Sequence, residues 1–121
     1  MAKTVLIVDD SASMRQMVAF AMRGAGFAVL EGGHGQEALD RLSGQKVDLV
    51  ITDLNMPVMD GIALIKQIRA QPANKYTPIL MLTTESQDAK KQEGKAAGAT
   101  GWVVKPFDPQ QLLQVVGKLV R

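Results

Sequence analysis

Short runs of β-branched and aliphatic residues recur along the chain at Thr4 to Val8, Ala28 to Leu30, Leu49 to Thr52, Ile79 to Leu82 and Trp102 to Val104. Each is too short for a helix of ordinary length and apolar on consecutive positions, which predicts strands buried on both faces. Between them the apolar positions change to helical spacing. Met14, Met17, Val18, Ala21 and Met22 predict a first amphipathic helix; Ala38, Leu39 and Leu42 a second; Ile62, Ile65 and Ile68 a third; Leu112, Leu113, Val116, Leu119 and Val120 a fifth that runs to Arg121. The fourth, Gln87 to Ala97, is mostly polar and carries Gly94 inside it. Gly24, Gly26, Gly44, Gly98 and Gly101 fall where helices end, and Pro78 and Pro109 where new elements begin. Two-faced strands alternating with helices predict a parallel sheet covered on both sides and joined by right-handed crossovers, a (βα)5 doubly wound α/β fold.

A chain of 121 residues with 46% hydrophobic and 21% charged residues suits one domain, residues 1–121, and leaves none over for an output domain. No apolar run approaches a membrane span, and Met1-Ala2-Lys3 leads directly into the first strand, so a cytoplasmic protein is expected. With no Cys, disulfides and thiol chemistry are excluded, and a single His excludes His-cluster metal sites. The formal charge of +2 is too small an excess to suggest a nucleic-acid surface. Any chemistry therefore rests on carboxylates, hydroxyls and lysines.

Ligands of open parallel sheets sit beyond the carboxyl ends of the strands. There the first strand ends in Asp9-Asp10, the third in Asp53, the fourth in Thr83-Thr84 and the fifth in Lys105-Pro106, with Glu31 and Gly32 near the end of the second. Crowded carboxylates resist joint ionisation unless a cation neutralises them. All-oxygen donors point to Mg²⁺, or Mn²⁺, which keeps exchangeable waters that a phosphate oxygen can replace. A metal beside Asp53, with Lys105 and Thr83 opposite, has the parts for phosphoryl transfer onto the Asp53 carboxylate. Taken singly, each residue has a simpler reading, such as Asp9-Asp10-Ser11 capping the first helix. The set would require that coincidence at four strand ends.

The segments VLIVDD (Val5 to Asp10), ITDLNMPVMDG (Ile51 to Gly61), PILMLTTES (Pro78 to Ser86) and GWVVKPF (Gly101 to Phe107) resemble the receiver domain of two-component response regulators over essentially the whole chain, most of all the free-standing chemotaxis regulators. The resemblance implies strand order 2-1-3-4-5 and an Asp53 phosphorylated by a histidine kinase or phosphotransfer domain. It implies Mg²⁺ held by the side chains of Asp10 and Asp53, the backbone carbonyl of Asn55, and Asp9 mainly through water. Lys105 would pair first with Asp53 and then with the phosphoryl oxygens. Thr83 would be drawn inward, making room for Trp102 to rotate. The output surface would be the fourth helix, fifth strand and fifth helix, contacting a downstream protein such as a flagellar motor switch protein, and a phosphatase is a further expected partner. Asn55 and Glu85 occupy positions that tune dephosphorylation in the family, and their match to the chemotaxis pattern implies a short-lived acyl phosphate. A monomer at rest is expected, and a cis Lys105-Pro106 bond is the family's pattern.

Trp102 is bulkier than the family's usual Tyr, which opposes full inward rotation; its other reading is a half-exposed edge aromatic. Leu54 stands where some chemotaxis members carry Trp, leaving Trp102 as the only indole. His34 reads as a surface loop residue without a role. Met17, Met22 and Met81 read as core fillers, Met56 and Met59 as candidate partner contacts, and Gly61 as either the start of the third helix or a point of close loop approach. Three competing readings stay open. A flavodoxin-like mononucleotide binder would share the fold, though Asp9-Asp10 would repel its phosphate. A haloacid-dehalogenase-type Mg²⁺-dependent phosphatase would need an Asp-x-Asp pair where this chain has Asp53-Leu54-Asn55. A phosphorelay or phosphate-sink receiver outside chemotaxis would keep the same site.

Overall fold

A computed structural model describes residues 2–120. The strands are β1 (Thr4–Val8), β2 (Ala28–Gly32), β3 (Leu49–Thr52), β4 (Ile79–Thr83) and β5 (Gly101–Val104), and the helices α1 (Ala12–Gly24), α2 (Gly35–Leu42), α3 (Gly61–Ala70), α4 (Asp88–Ala97) and α5 (Pro109–Leu119). The strands form one parallel sheet in the order β2-β1-β3-β4-β5. This is the predicted doubly wound α/β fold, with β2 extended to Gly32 and β4 to Thr83. The expected run of α5 to Arg121 reaches a residue outside those described; the helix ends at Leu119. No helix among the described residues is long and apolar enough to cross a membrane.

Alternate residues of each strand enter opposite layers, as the pleat requires. Leu6, Val8, Val50 and Met81 pack with Ala38, Leu42, Ile65 and Ile68 beneath α2 and α3, while Val5, Ile7, Ile51 and Leu82 pack with Val18, Ala19, Met22, Leu112 and Val116 beneath α1 and α5. Met22 and Met81 are core residues as expected, but Met17 is 53% exposed. The buried stripe of α1 runs through Val18, Ala19 and Met22, which turns Met17 and Phe20 outward beside Leu113 and Pro109 of α5.

Helix starts are set by side-chain caps, with Ser11, Asp60 and Asp108 accepting from Met14, Ala63 and Gln110 N–H. His34, expected to have no role, caps α2: its Nδ1 accepts the Glu37 N–H at 3.2 Å. A short 3₁₀ turn at Pro72–Asn74, absent from the sequence reading, carries the fully buried Asn74. Its amide accepts from Val47 N–H and Thr77 Oγ1 and donates to the Gln45 carbonyl and Gln71 Oε1.

Candidate functional site

Strand register brings the polar residues together. Val8 pairs with Thr52, so Asp9 and Asp53 emerge side by side from β1 and β3. Thr83 pairs with Val104, placing Lys105 just beyond the Thr83 level on the neighbouring strand. The Lys105-Pro106 peptide is cis, as the family resemblance implies.

Asp9 and Asp53 are buried, and Asp10 is exposed. One carboxylate oxygen from each of the three lies within 4.8 Å of the others. Lys105 Nζ donates to Asp9 Oδ2 at 2.7 Å and more weakly to Asp53 Oδ2 at 3.4 Å. The second oxygens of Asp9 and Asp53 are bound locally. Asp9 Oδ1 accepts the Ser11 N–H at 2.9 Å and Asp53 Oδ1 the Leu54 N–H at 2.7 Å. Of Asp9-Asp10-Ser11, it is Ser11 that caps α1, which leaves the Asp9 and Asp10 carboxylates to the cluster. Glu31 lies outside the cluster, paired with Arg15 and Arg23.

Three carboxylates against one ammonium leave a local excess of negative charge at the mouth of a low-dielectric sheet. The donor set is all oxygen, with Asp10 open to solvent, and so fits a hard divalent cation that keeps part of its water shell. Gly61 serves both expected purposes: it opens α3, and a Cβ there would run into the Asp53 carbonyl and the Leu54 backbone. Substituting it would push the β3–α3 loop off the acidic cluster.

Thr83 is fully buried, and its Oγ1 accepts the Glu85 N–H at 3.3 Å. Asn55 is exposed on the β3–α3 loop, and Glu85 is half-buried. Trp102 is half-buried too, with its indole N–H donating to the Glu85 carbonyl at 3.0 Å. Met56 and Met59, the candidate partner contacts, are half-buried and pack against the core, Met59 filling the space a side chain at Gly35 would take. The exposed apolar residue of that loop is Val58, at 94% exposure and with φ +69°, held in a γ-turn by the Met59 N–H to the Pro57 carbonyl. Periodicity carries no signal for such a turn, and the sequence reading passed over Val58.

The model of the response regulator receiver domain matches residues 5–117. A chemotaxis protein CheY homolog of Campylobacter jejuni is 42% identical over 110 residues, spanning 89% of this chain and 85% of that protein. Chemotaxis protein CheY of Pseudomonas aeruginosa is 39% identical over 116 residues, 95% of this chain and 94% of that one. Among solved structures, chemotaxis protein CheY4 of Vibrio cholerae superimposes with a TM-score of 0.95 at 49% identity, covering 99% of this chain and 100% of that one. With the sheet order, the acidic cluster and these relatives in agreement, the chain belongs to the response regulator receiver domain family and is similar to its CheY-type chemotaxis regulators.

Proposed function

We propose that this chain is a phosphorylation-activated signalling switch in which Asp53 takes a phosphoryl group from a histidine kinase or phosphotransfer domain. The observation that carries the reading is the buried Asp53 carboxylate, in contact with Lys105 and clustered with Asp9 and Asp10. An Asp53 oxygen attacks phosphorus, the P–N bond of the donor phosphohistidine breaks, and the imidazole leaves with the bonding pair. Lys105 moves from bridging Asp9 and Asp53 to neutralising a phosphoryl oxygen, and the Thr83 hydroxyl donates to another. Asp9, Asp10 and Asp53, with the Asn55 carbonyl, would hold Mg²⁺ or Mn²⁺. When bound, the ion supplies charge neutralisation at the phosphoryl oxygens. Asn55 and Glu85 flank the acyl phosphate and set how fast water reaches it. The protein itself catalyses only its own phosphorylation and dephosphorylation.

Similarity to CheY proteins supports a chemotaxis role in the cytoplasm. On that reading, the face formed by α4, β5 and α5 contacts a downstream protein of the flagellar motor switch kind, and a phosphatase resets the signal. The receiver itself is a monomer at rest. Trp102 emission tests the core of the proposal, because it is the only indole and sits one hydrogen bond from the Glu85 loop. Titration with Mg²⁺ and then beryllofluoride, an aspartyl-phosphate mimic, should give a saturable change that Asp53→Ala abolishes. A silent signal with no binding would remove the mechanism and leave the fold.

A further inference from the structure

Asp9 and Asp53 are each aimed by bonds to their own carboxylates, Asp9 from the Ser11 N–H and Lys105, Asp53 from the Leu54 N–H and Lys105. Asp10 has no such support: it is exposed, and among the described residues no amide or side chain donates to its carboxylate. Its direction is therefore set by the backbone, above all by the peptide plane to which the Asp9 carbonyl and the Asp10 N–H both belong.

That plane is held from outside the cluster. Arg15, one turn into α1, reaches back and donates from Nη1 to the Asp9 carbonyl at 2.7 Å, a charge-assisted bond. The Arg15 side chain is 21% exposed, so water competes weakly for this contact. Its Nε donates to Glu31 Oε1 at 3.3 Å. Glu31 faces α1 because it pairs in register with Ile7, whose side chain lies in the layer beneath α1 and α5. The Asp9 N–H donates to the Gly32 carbonyl at 3.1 Å. Both backbone groups of Asp9 are thus tied to β2, the N–H directly and the carbonyl through Arg15 and Glu31.

We propose that Arg15, oriented by Glu31, is a positioning residue for the cation site: by fixing the Asp9–Asp10 peptide it aims the otherwise unsupported Asp10 carboxylate at Asp9 and Asp53. The role rests on the reading of that cluster as the Mg²⁺ site beside the phosphoacceptor Asp53. Its sign separates it from simple electrostatics. A guanidinium beside a cation site repels the ion, so losing the charge alone would tighten binding. Losing the grip on the peptide loosens binding, as happens with other groups that orient metal ligands. Glu31 attracts the ion through space and also holds Arg15, so both of its effects favour binding and only a double variant separates them.

Mg²⁺ titration of the full chain followed by amide NMR tests this, using wild type, Arg15→Met, Glu31→Gln and the double variant. Methionine keeps most of the aliphatic stem and removes the donors and the charge. The Mg²⁺ Kd should rise about ten-fold in Arg15→Met and about three-fold in Glu31→Gln. The double variant should match Arg15→Met, because Glu31 then has nothing left to orient; a further rise of about three-fold would show that Glu31 acts through space and overturn its part. In chelator, the Asp9 carbonyl carbon resonance should move upfield in Arg15→Met as its hydrogen bond is lost. A Kd in Arg15→Met equal to or below that of a wild type that binds would overturn the positioning role alone, as would an Asp9 carbonyl resonance that stays in place. If Arg15→Met does not fold, Glu31→Gln decides, an unchanged Kd there overturning the role of the pair. No Mg²⁺ binding by wild type would sink the cation-site reading and the positioning role with it.

Discussion

Among the described residues Lys105 is the single cation bonded within the cluster of three carboxylates, so replacing it with the similarly long but uncharged Met isolates its electrostatic work. The side chains of Lys105, Asp9 and Asp53 are 9%, 5% and 11% exposed, so these contacts are little screened by solvent. At an effective dielectric of about 20, opposite charges at 2.7 and 3.4 Å attract by about 6 and about 5 kcal/mol. Asp9 and Asp53, with carboxylate oxygens within 4.8 Å of each other, repel by at least about 3.5 kcal/mol on the same scale. Desolvation offsets most of the attraction, but the repulsion survives when the ammonium goes. Breaking a buried pair typically destabilises by 3–5 kcal/mol, and the repulsion found here falls at the low end of that range, about 3 kcal/mol. For a chain of 121 residues this corresponds to a Tm lowered by roughly 10 °C. Melts in chelator and in saturating Mg²⁺ provide the assay. The cation should recover most of the loss in Lys105→Met, since binding at a hundredfold excess over Kd stabilises by about 2.7 kcal/mol, and should shift the variant more than wild type. A variant melting within roughly 2 °C of wild type, or responding to Mg²⁺ no more than wild type does, would refute the picture of carboxylates held together by Lys105.

Three further outcomes follow from contacts already described. Asp53→Asn keeps the oxygen that accepts the Leu54 N–H while removing one negative charge, so it should raise Tm by several degrees in chelator and abolish the mass increment of one phosphoryl group after incubation with acetyl phosphate and Mg²⁺. Asn74→Ala would leave the Val47 N–H without its buried acceptor and should cost about 3 kcal/mol in urea unfolding. His34→Ala should cost about 1 kcal/mol by removing the α2 cap, and His34→Asn should restore it; equal stability of both variants would show that the Nδ1 contact is not a cap.

The sheet and the edge that carries the acidic cluster were legible because they follow from one-dimensional signals. Strands buried on both faces announce themselves as continuous apolar runs, and parallel register carries every strand's following residue to the same edge, so Asp9, Asp53 and Lys105 meet without any special signal in the sequence. Met17 was misplaced because the apolar positions of α1 admit more than one stripe. Whether Met17 or Ala19 faces the sheet depends on how the helix is rotated against β1 and β2, and composition does not encode that rotation. Asn74 and Arg69 were invisible for a related reason. Arg69 satisfies the carbonyls of Asn74, Lys75, Thr77 and Gly98, joining the end of α3 to the end of α4, and burial lowers its pKa while leaving it charged. The partners of Arg69 are backbone carbonyls, which any residue supplies, and Asn74 joins the Val47 N–H and the Gln45 carbonyl to two side chains three residues away, Gln71 and Thr77, so no pattern along the chain marks either.

Gly94 is the instructive case, since the sequence signal was present and pointed the wrong way. Read along the chain, a glycine inside a polar segment weakens the helix; read across the fold, it is the one position in α4 where the bulk of Trp102 can be received. The two residues stand eight apart and on different elements, and each alone departs from expectation, one too small for a helix and the other bulkier than the Tyr usual in the family. Paired departures of opposite sign in volume are what packing at fixed density requires when one side of a contact grows. A single-residue propensity therefore misreads both, and the structural consequence belongs to the pair: restoring helix propensity at residue 94 is expected to weaken this protein for as long as residue 102 is tryptophan.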